Sequence, residues 1–483
     1  MKRSVLVALA VTVLAAGGAT VGLLLTPDKG FHPRFPVTAK YSRKRRDPQL
    51  PKGIHRIRHI IIVMQENRSF DEYFGTFPGA DGLPRKKNGS FAVCVPNPAM
   101  RSCTRPFHDP SDRNIGAFHS EEMAKMAIDG GEMDGFIRVA QLPTSEGCSW
   151  PDVHCQADPA RPDLMGFHDD REIPNYWTYA KRFVLQDHMF SAMYGPSLPA
   201  HLYLVSAWSA RCYDANPLSC RSSLGLVKDI DPDTDPGHRP DFSWTDITYL
   251  LHKEGVSWNY YVSPKTVFDC DDGFEPCSGD EDANRIKGTP EQRNPLVDFL
   301  TVHKDHEVHN VKYYPDFFKA ARKGTLASVV WVVPNVRDSD HPEKLVSDSQ
   351  AWVTRVVNAV SRGPNWKDSA IFVVWDEWGG FYDHVPPPEV DGNGYGIRVP
   401  AFMVSPYAKA GMIDHQTLSF DAYLKFIEDV FLGGQRLDPK NDGRPDSRPT
   451  VRENVPILGD LTEEFDFNQK PLPPVILKPY PKG

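Results

Sequence analysis

The chain has 483 residues, 40% hydrophobic and 24% charged, the make-up of a globular protein long enough for a large core and for more than one structural unit. Its net charge of −8 is spread along the chain rather than gathered in a tail, which argues against nucleic acid as a partner. Proline is frequent, 44 residues where ~5% is usual, so long ordered loops around a sheet are expected.

Met1-Lys2-Arg3-Ser4 precede an uncharged apolar run from Val5 to Leu25. The run suits a membrane span of ~20 residues and is longer than the ~7–15 of a signal-peptide core. A cleaved signal and a retained anchor both export the rest of the chain. The expected location is therefore extracytoplasmic, secreted or membrane-anchored, with the membrane met through residues 1–26. Residues 27–54 are Pro-rich and basic and read as a linker, and the remaining chain, 55–483, as the catalytic domain. The eight cysteines fall into close sequential pairs, Cys94/Cys103, Cys148/Cys155, Cys212/Cys220 and Cys270/Cys277. Behind an export segment this pattern predicts four local disulfides.

His59–Gly75 (HIIIVMQENRSFDEYFG) opens the domain. Ile60–Met64 is a short, largely β-branched apolar run, the signature of a strand buried on both faces. Helices are expected over Ser120–Ile128, Pro174–Phe183 and Leu202–Ala210. An Asp-, Pro- and Gly-rich insertion comes next, densest over 211–295 and reaching to about 325, with one strand inside it at Trp258–Val262. Leu326–Val333, Ala370–Trp375 and Val399–Val404 resume the strand pattern. Ser349–Val360 and Phe420–Phe431 are helical, so strand–helix–strand order predicts a mostly parallel sheet.

Chemistry is expected where strands end, because ligands of open α/β sheets bind beyond the carboxyl ends of their strands. Glu66-Asn67 and Asp376-Glu377 each follow a buried strand, and their oxygens are hard donors suited to a divalent cation. Either acidic step alone also reads as the start of a solvated loop. Ser197, in Tyr194-Gly195-Pro196-Ser197-Leu198-Pro199-Ala200-His201, reads as a nucleophile at a helix N-terminus or, more plainly, as an N-cap; Ser191 is a weaker nucleophile candidate. His119, His341 and His384 are loop histidines able to donate to phosphate oxygens or to protonate a leaving group. His306-Glu307-Val308-His309 has the wrong spacing for a zincin helix, and Asp231, Asp233 and Asp235 lack the closing Glu of an EF-hand.

Taken in order, QENRSFDEYFG (65–75), GGEMDGF (130–136), MYGPSLPAHLYLVSA (193–207), SDHP (339–342), WDEWGGFYDHVPPP (375–388) and RLDPKNDGRPDSRP (436–449) resemble the bacterial phosphoesterase family. That family includes phosphatidylcholine-type phospholipases C and a related acid phosphatase. The resemblance implies an alkaline-phosphatase-like α/β fold, a three-layer sandwich with loop-rich, disulfide-containing insertions. It implies one divalent metal ion (Mg, Ca, Mn or Zn) held by Glu66, Asn67, Ser197, Asp376 and Glu377, with Ser197 as nucleophile. His119 and His341 match phosphate-contacting histidines, and His384 a further family histidine. The expected function is metal-dependent hydrolysis of phosphate esters, foremost phospholipids. An acid phosphatase acting on small phosphate esters and a non-catalytic surface-anchored binding protein are the alternatives. One departure stands out. Where the family often continues Pro-Asn-Arg after the nucleophile, this chain has Pro199-Ala200-His201.

Overall fold

The computed structural model describes residues 50–142, 162–224, 242–263 and 293–481. The apolar run at the N-terminus, Asp231–Asp235 and the Cys148/Cys155 and Cys270/Cys277 pairs lie outside these residues. The other two expected disulfides, Cys94–Cys103 and Cys212–Cys220, are formed. Among the described residues no helix is long and apolar enough to cross a membrane.

His59–Gln65 (β1) lies inside the sheet because Ile60 to Met64 are apolar on both faces, and all five are fully buried. Each such side chain contributes ~1.5–3 kcal/mol on burial, before chain entropy is counted. The other strands are Val184–Gln186 (β2), Trp258–Val262 (β3), Val311–Tyr313 (β4), Val329–Val332 (β5), Ser369–Trp375 (β6), Ala401–Val404 (β7) and Met412–Asp414 (β8). They form one sheet in the order β4-β3-β5-β1-β6-β7-β2-β8. β1 runs parallel to β5 and β6, and only β7 opposes its two neighbours. The expected mostly parallel α/β sheet is therefore present. β3 and β4 belong to this sheet, so the Asp/Pro/Gly-rich stretch contributes core as well as surface.

The helices used below are Phe70–Phe74 (α1), Glu121–Ile128 (α2), Pro174–Arg182 (α3), Ser197–Ser206 (α4), Val346–Arg362 (α5) and Phe420–Phe431 (α6). Both faces of the sheet are covered, as ring contacts on β6 show. Phe372 meets Tyr423 and Phe426 of α6, whereas Trp375, three positions on, meets Tyr176 of α3. An odd separation along a strand puts the two rings on opposite faces.

The sequence misplaces one helix that matters. It predicts Leu202–Ala210, but α4 begins at Ser197 and ends at Ser206, where Ala207 turns left-handed with φ 52°. Pro199 has the look of a turn residue in the sequence, yet it sits in the first helical turn. There its missing N–H would have had no intrahelical partner. β2, β4 and β8 are three residues each, too short to register as a pattern in the sequence.

Candidate active site

β1 and β6 are in register, with Gln65 opposite Trp375, so Glu66-Asn67 and Asp376-Glu377 leave the sheet side by side. The Asp376 amide extends the ladder by donating to the Gln65 carbonyl at 2.9 Å. Asn67 then turns left-handed (φ 57°), a conformation asparagine tolerates, and its amide donates to Asp376 Oδ1 at 2.9 Å. The loop after Glu377 crosses tightly over Asn67. A Cβ at Gly379 would lie 2.3 Å from the Asn67 carbonyl oxygen, and one at Gly380 would lie 2.3 Å from the Ala117 nitrogen. Glycine is thus required at both positions, and the second approach draws in the segment carrying His119.

Ser197 is the first residue of α4 and is almost fully buried. It is not an N-cap. Its hydroxyl donates instead to Glu66 Oε2 at 3.3 Å, with the amide dipoles of a ten-residue helix behind it. One turn later, His201 places Nε2 at 3.3 Å from Glu66 Oε1 and 3.9 Å from Asp376 Oδ2. Arg293 Nε reaches Glu66 Oε1 at 2.6 Å. Ser191 faces the site from behind and donates to the Asp376 carbonyl at 2.8 Å, a structural role.

His119 lies on the other side of Asn67. Its Nδ1–H donates to the Ala117 carbonyl at 2.8 Å, which leaves Nε2 as acceptor, 3.0 Å from Asn67 Nδ2 and 3.5 Å from Glu377 Oε1. Asn67 Nδ2 also meets Glu377 Oε1 directly. His341 stands edge-on to His119 with ring centroids 6.0 Å apart, and its Nδ1–H donates to the Pro342 carbonyl at 3.0 Å. Burial, Arg293 and His119 together hold His341 well below its ordinary pKa, so it is neutral.

The acids are strained electrostatically. Burial and the Glu66 charge push Asp376 up to about 7, and burial and Asp376 push Glu377 well above its usual range. Among the described residues, three fully buried carboxylates face one arginine in contact, so the site calls for further positive charge. Asn67 Oδ1 and Asp376 Oδ2 are buried without a hydrogen-bond partner. Orphaned hard oxygens beside excess negative charge are what a divalent cation satisfies, so these residues fit the expected metal. Glu66, His201 and Asp376 each bring a ligand atom within 4.8 Å of the others.

His384 is not brought to this cluster. Its Nδ1 contacts Asp71 at 2.7 Å, its Nε2 lies 3.5 Å from Asp81, and Arg398 pairs with Asp71 and Asp383. Burial opposes its charge, yet Asp71 and Asp383 hold its pKa above the ordinary value. This second network starts one helix away, at α1, and braces the loop that leaves β6.

Arg68 holds the histidine loops in place. Its Nε donates to the Asp340 carbonyl at 3.0 Å, and its Nη1 donates to Glu72 at 2.6 Å and to Asn114 at 3.0 Å. Asp340 also accepts from Tyr73 and from the Trp375 indole. One guanidinium therefore ties Asn67's neighbourhood to the segments bearing His341 and His119. Behind it, His168 donates from Nε2 to Asn114 at 2.9 Å and is pushed down to about 4 by burial and Arg68. The unfolded chain takes that proton near pH 6.5, the folded chain only near 4, so stability falls as pH drops between the two values. The stability difference between the wild type and His168→Gln should shrink from pH 7 to pH 4 in urea unfolding; a constant difference would remove this reading.

Two arginines of the C-terminal stretch anchor α4 from outside. Arg448 donates to the Ser206 carbonyl at its C-terminal end at 3.0 Å, and Arg452 donates to the Tyr203 hydroxyl of α4 at 3.4 Å and to the Ala192 and Gly394 carbonyls beside it, each at 3.0 Å. Arg452 also grips Asp391 through both of its oxygens.

A profile of the Phosphoesterase family matches residues 57–432, from β1 through α6. The chain belongs to the phosphoesterase family. It is a phosphoric ester hydrolase. Phospholipase C A of Mycobacterium tuberculosis is 27% identical over 469 residues, covering 87% of this chain and 79% of that protein. Hemolytic phospholipase C of Pseudomonas aeruginosa is 25% identical over 475 residues, covering 87% of this chain and 57% of that protein. A protein in the alkaline phosphatase superfamily from Vibrio parahaemolyticus, known from its crystal structure, aligns at 11% identity over 61% of this chain and 67% of that chain, with a TM-score of 0.31.

The family motifs fall where the geometry is built, at the ends of β1 and β6 and the start of α4. The roles of Arg293, His201 and Arg68 are not among those the sequence suggests. His201 had a legible signal, since four residues after Ser197 is the same helix face. Arg293 had none, standing between an Asp/Gly-rich run and Pro295.

Proposed function

We propose that the protein is an exported, metal-dependent phospholipase C-type enzyme that cleaves phospholipids to diacylglycerol and a phosphorylated head group. The observation that carries this reading is the meeting of Ser197, at the N-terminus of α4, with the carboxylates of Glu66 and Asp376. The relatives supply the substrate class, as they are phospholipases C by name.

Glu66, Asn67, Asp376, Glu377 and the Ser197 hydroxyl would hold the ion, which when bound neutralises phosphate charge and lowers the pKa of a hydroxyl. In this reading Ser197 Oγ attacks phosphorus, a new Oγ–P bond forms and the bond from phosphorus to the glycerol oxygen breaks. The serine proton passes by way of a neighbouring histidine to the departing alkoxide. Water then cleaves the Oγ–P bond, releasing the phosphorylated head group and restoring Ser197. His119 and His341 suit this traffic because each keeps Nδ1–H on a carbonyl and so presents an unprotonated Nε2. His384 enters as a brace acting through Asp71.

The test uses the exported form, stripped of metal and reconstituted, on p-nitrophenyl phosphorylcholine and p-nitrophenyl phosphate. Chelation should abolish turnover, a divalent ion should restore it, and the diester should be preferred. Preference for the monoester would move the protein to the acid phosphatases, and no turnover with any ion would reject catalysis.

A further inference from the structure

We infer that His201 is a nitrogen ligand of this metal site, and that it selects a zinc-class ion over magnesium or calcium. The inference rests on the phosphoesterase reading above and adds a ligand and a metal class to it.

The geometry comes from α4 itself. Residues four apart on a helix share one face, so any helix that aims Ser197 at Glu66 aims residue 201 there too. His201 is fully buried, with Nε2 3.3 Å from Glu66 Oε1 and 3.9 Å from Asp376 Oδ2. Two atoms bound to one ion at ~2.0–2.1 Å can stand no more than about 4.2 Å apart, and both separations fall inside that limit. Asp376 Oδ2, the nearer of that residue's oxygens, has no hydrogen-bond partner and is buried. That orphan points to a ligand independently of the histidine.

Donor chemistry then decides the metal. Carboxylates, an amide oxygen and a hydroxyl alone would suit magnesium or calcium, which take oxygen. An imidazole added to these oxygen donors moves the preference toward zinc and its neighbours. An arginine or asparagine at 201 would offer no such nitrogen, and Arg293 already supplies a cation to Glu66.

The test uses the full exported protein stripped with a chelator. Cobalt(II) should give a visible absorption band that one equivalent of zinc removes and excess magnesium or calcium does not. His201→Gln should lose the band and weaken zinc binding by more than the roughly 100-fold that an outer-shell partner is worth, leaving calcium binding unchanged. An unaltered cobalt spectrum and zinc affinity in His201→Gln would overturn the inference. Zinc-edge absorption of the wild type needs no variant: an imidazole in the shell supports the assignment and an all-oxygen shell overturns it. Failure of the parent reading looks different. It would leave both nitrophenyl substrates untouched with every ion, while the cobalt spectrum stayed intact.

Discussion

Ser197→Ala should fold normally, bind metal more weakly and lose about 10⁴-fold or more in kcat. The size of the loss comes from the position of the hydroxyl. It donates to the Glu66 carboxylate from the positive end of α4, and alanine leaves nothing to form the bond to phosphorus. The structural loss is small, one hydrogen bond worth ~1 kcal/mol. Paired thermal unfolding and steady-state kinetics separate the two effects. Activity within tenfold of wild type would remove Ser197 as nucleophile, whatever its metal role.

Arg68→Met should be the most destabilising single change at the site, at ~3–5 kcal/mol. Arg68 is fully buried, and its removal leaves Glu72 and Asp340 as uncompensated buried acids. Burial already drives both acids upward in pKa, so without the guanidinium they take up protons or draw in water. Because the same side chain holds the Asp340 and Asn114 loops, His341 and His119 should lose their fixed orientation. Urea unfolding measures the first effect, and kcat at a temperature where the variant is folded measures the second. A loss under ~1 kcal/mol would show that the network is not fixed by Arg68.

The sequence exposed the chemistry of this molecule better than its scaffold. β1 and β6 are long apolar runs, and a strand buried on both faces announces itself, so the two acidic steps after them were legible as neighbours. Their actual meeting depended on register, Gln65 opposite Trp375, which no local pattern encodes. β2, β4 and β8 went unseen because three residues carry no periodicity, yet they complete the sheet. α4 was displaced because Pro199 reads as a breaker, although a first helical turn accepts it. Arg293 was invisible for a deeper reason. Its significance is a tertiary contact 2.6 Å from Glu66, made across more than two hundred residues of chain.

His384 shows the converse. The sequence offered it as one more histidine of the site, and the structure gives it Asp71, Asp81 and Arg398 as company. A histidine beside an acidic motif is equally at home as a brace, and only three-dimensional neighbours separate the two.

The grip of Arg448 on the end of α4, and of Arg452 on the segment leading into it, has a temporal consequence. The Ser206 carbonyl and Arg448 are 242 positions apart, and Ala192 and Arg452 are 260 apart. A chain emerging from a ribosome exposes Ser197 long before the arginines that steady it. Competence for phosphate-ester hydrolysis is thereby deferred until residue 452 has been made, so a shorter nascent chain carries Ser197 without the contacts that fix its helix.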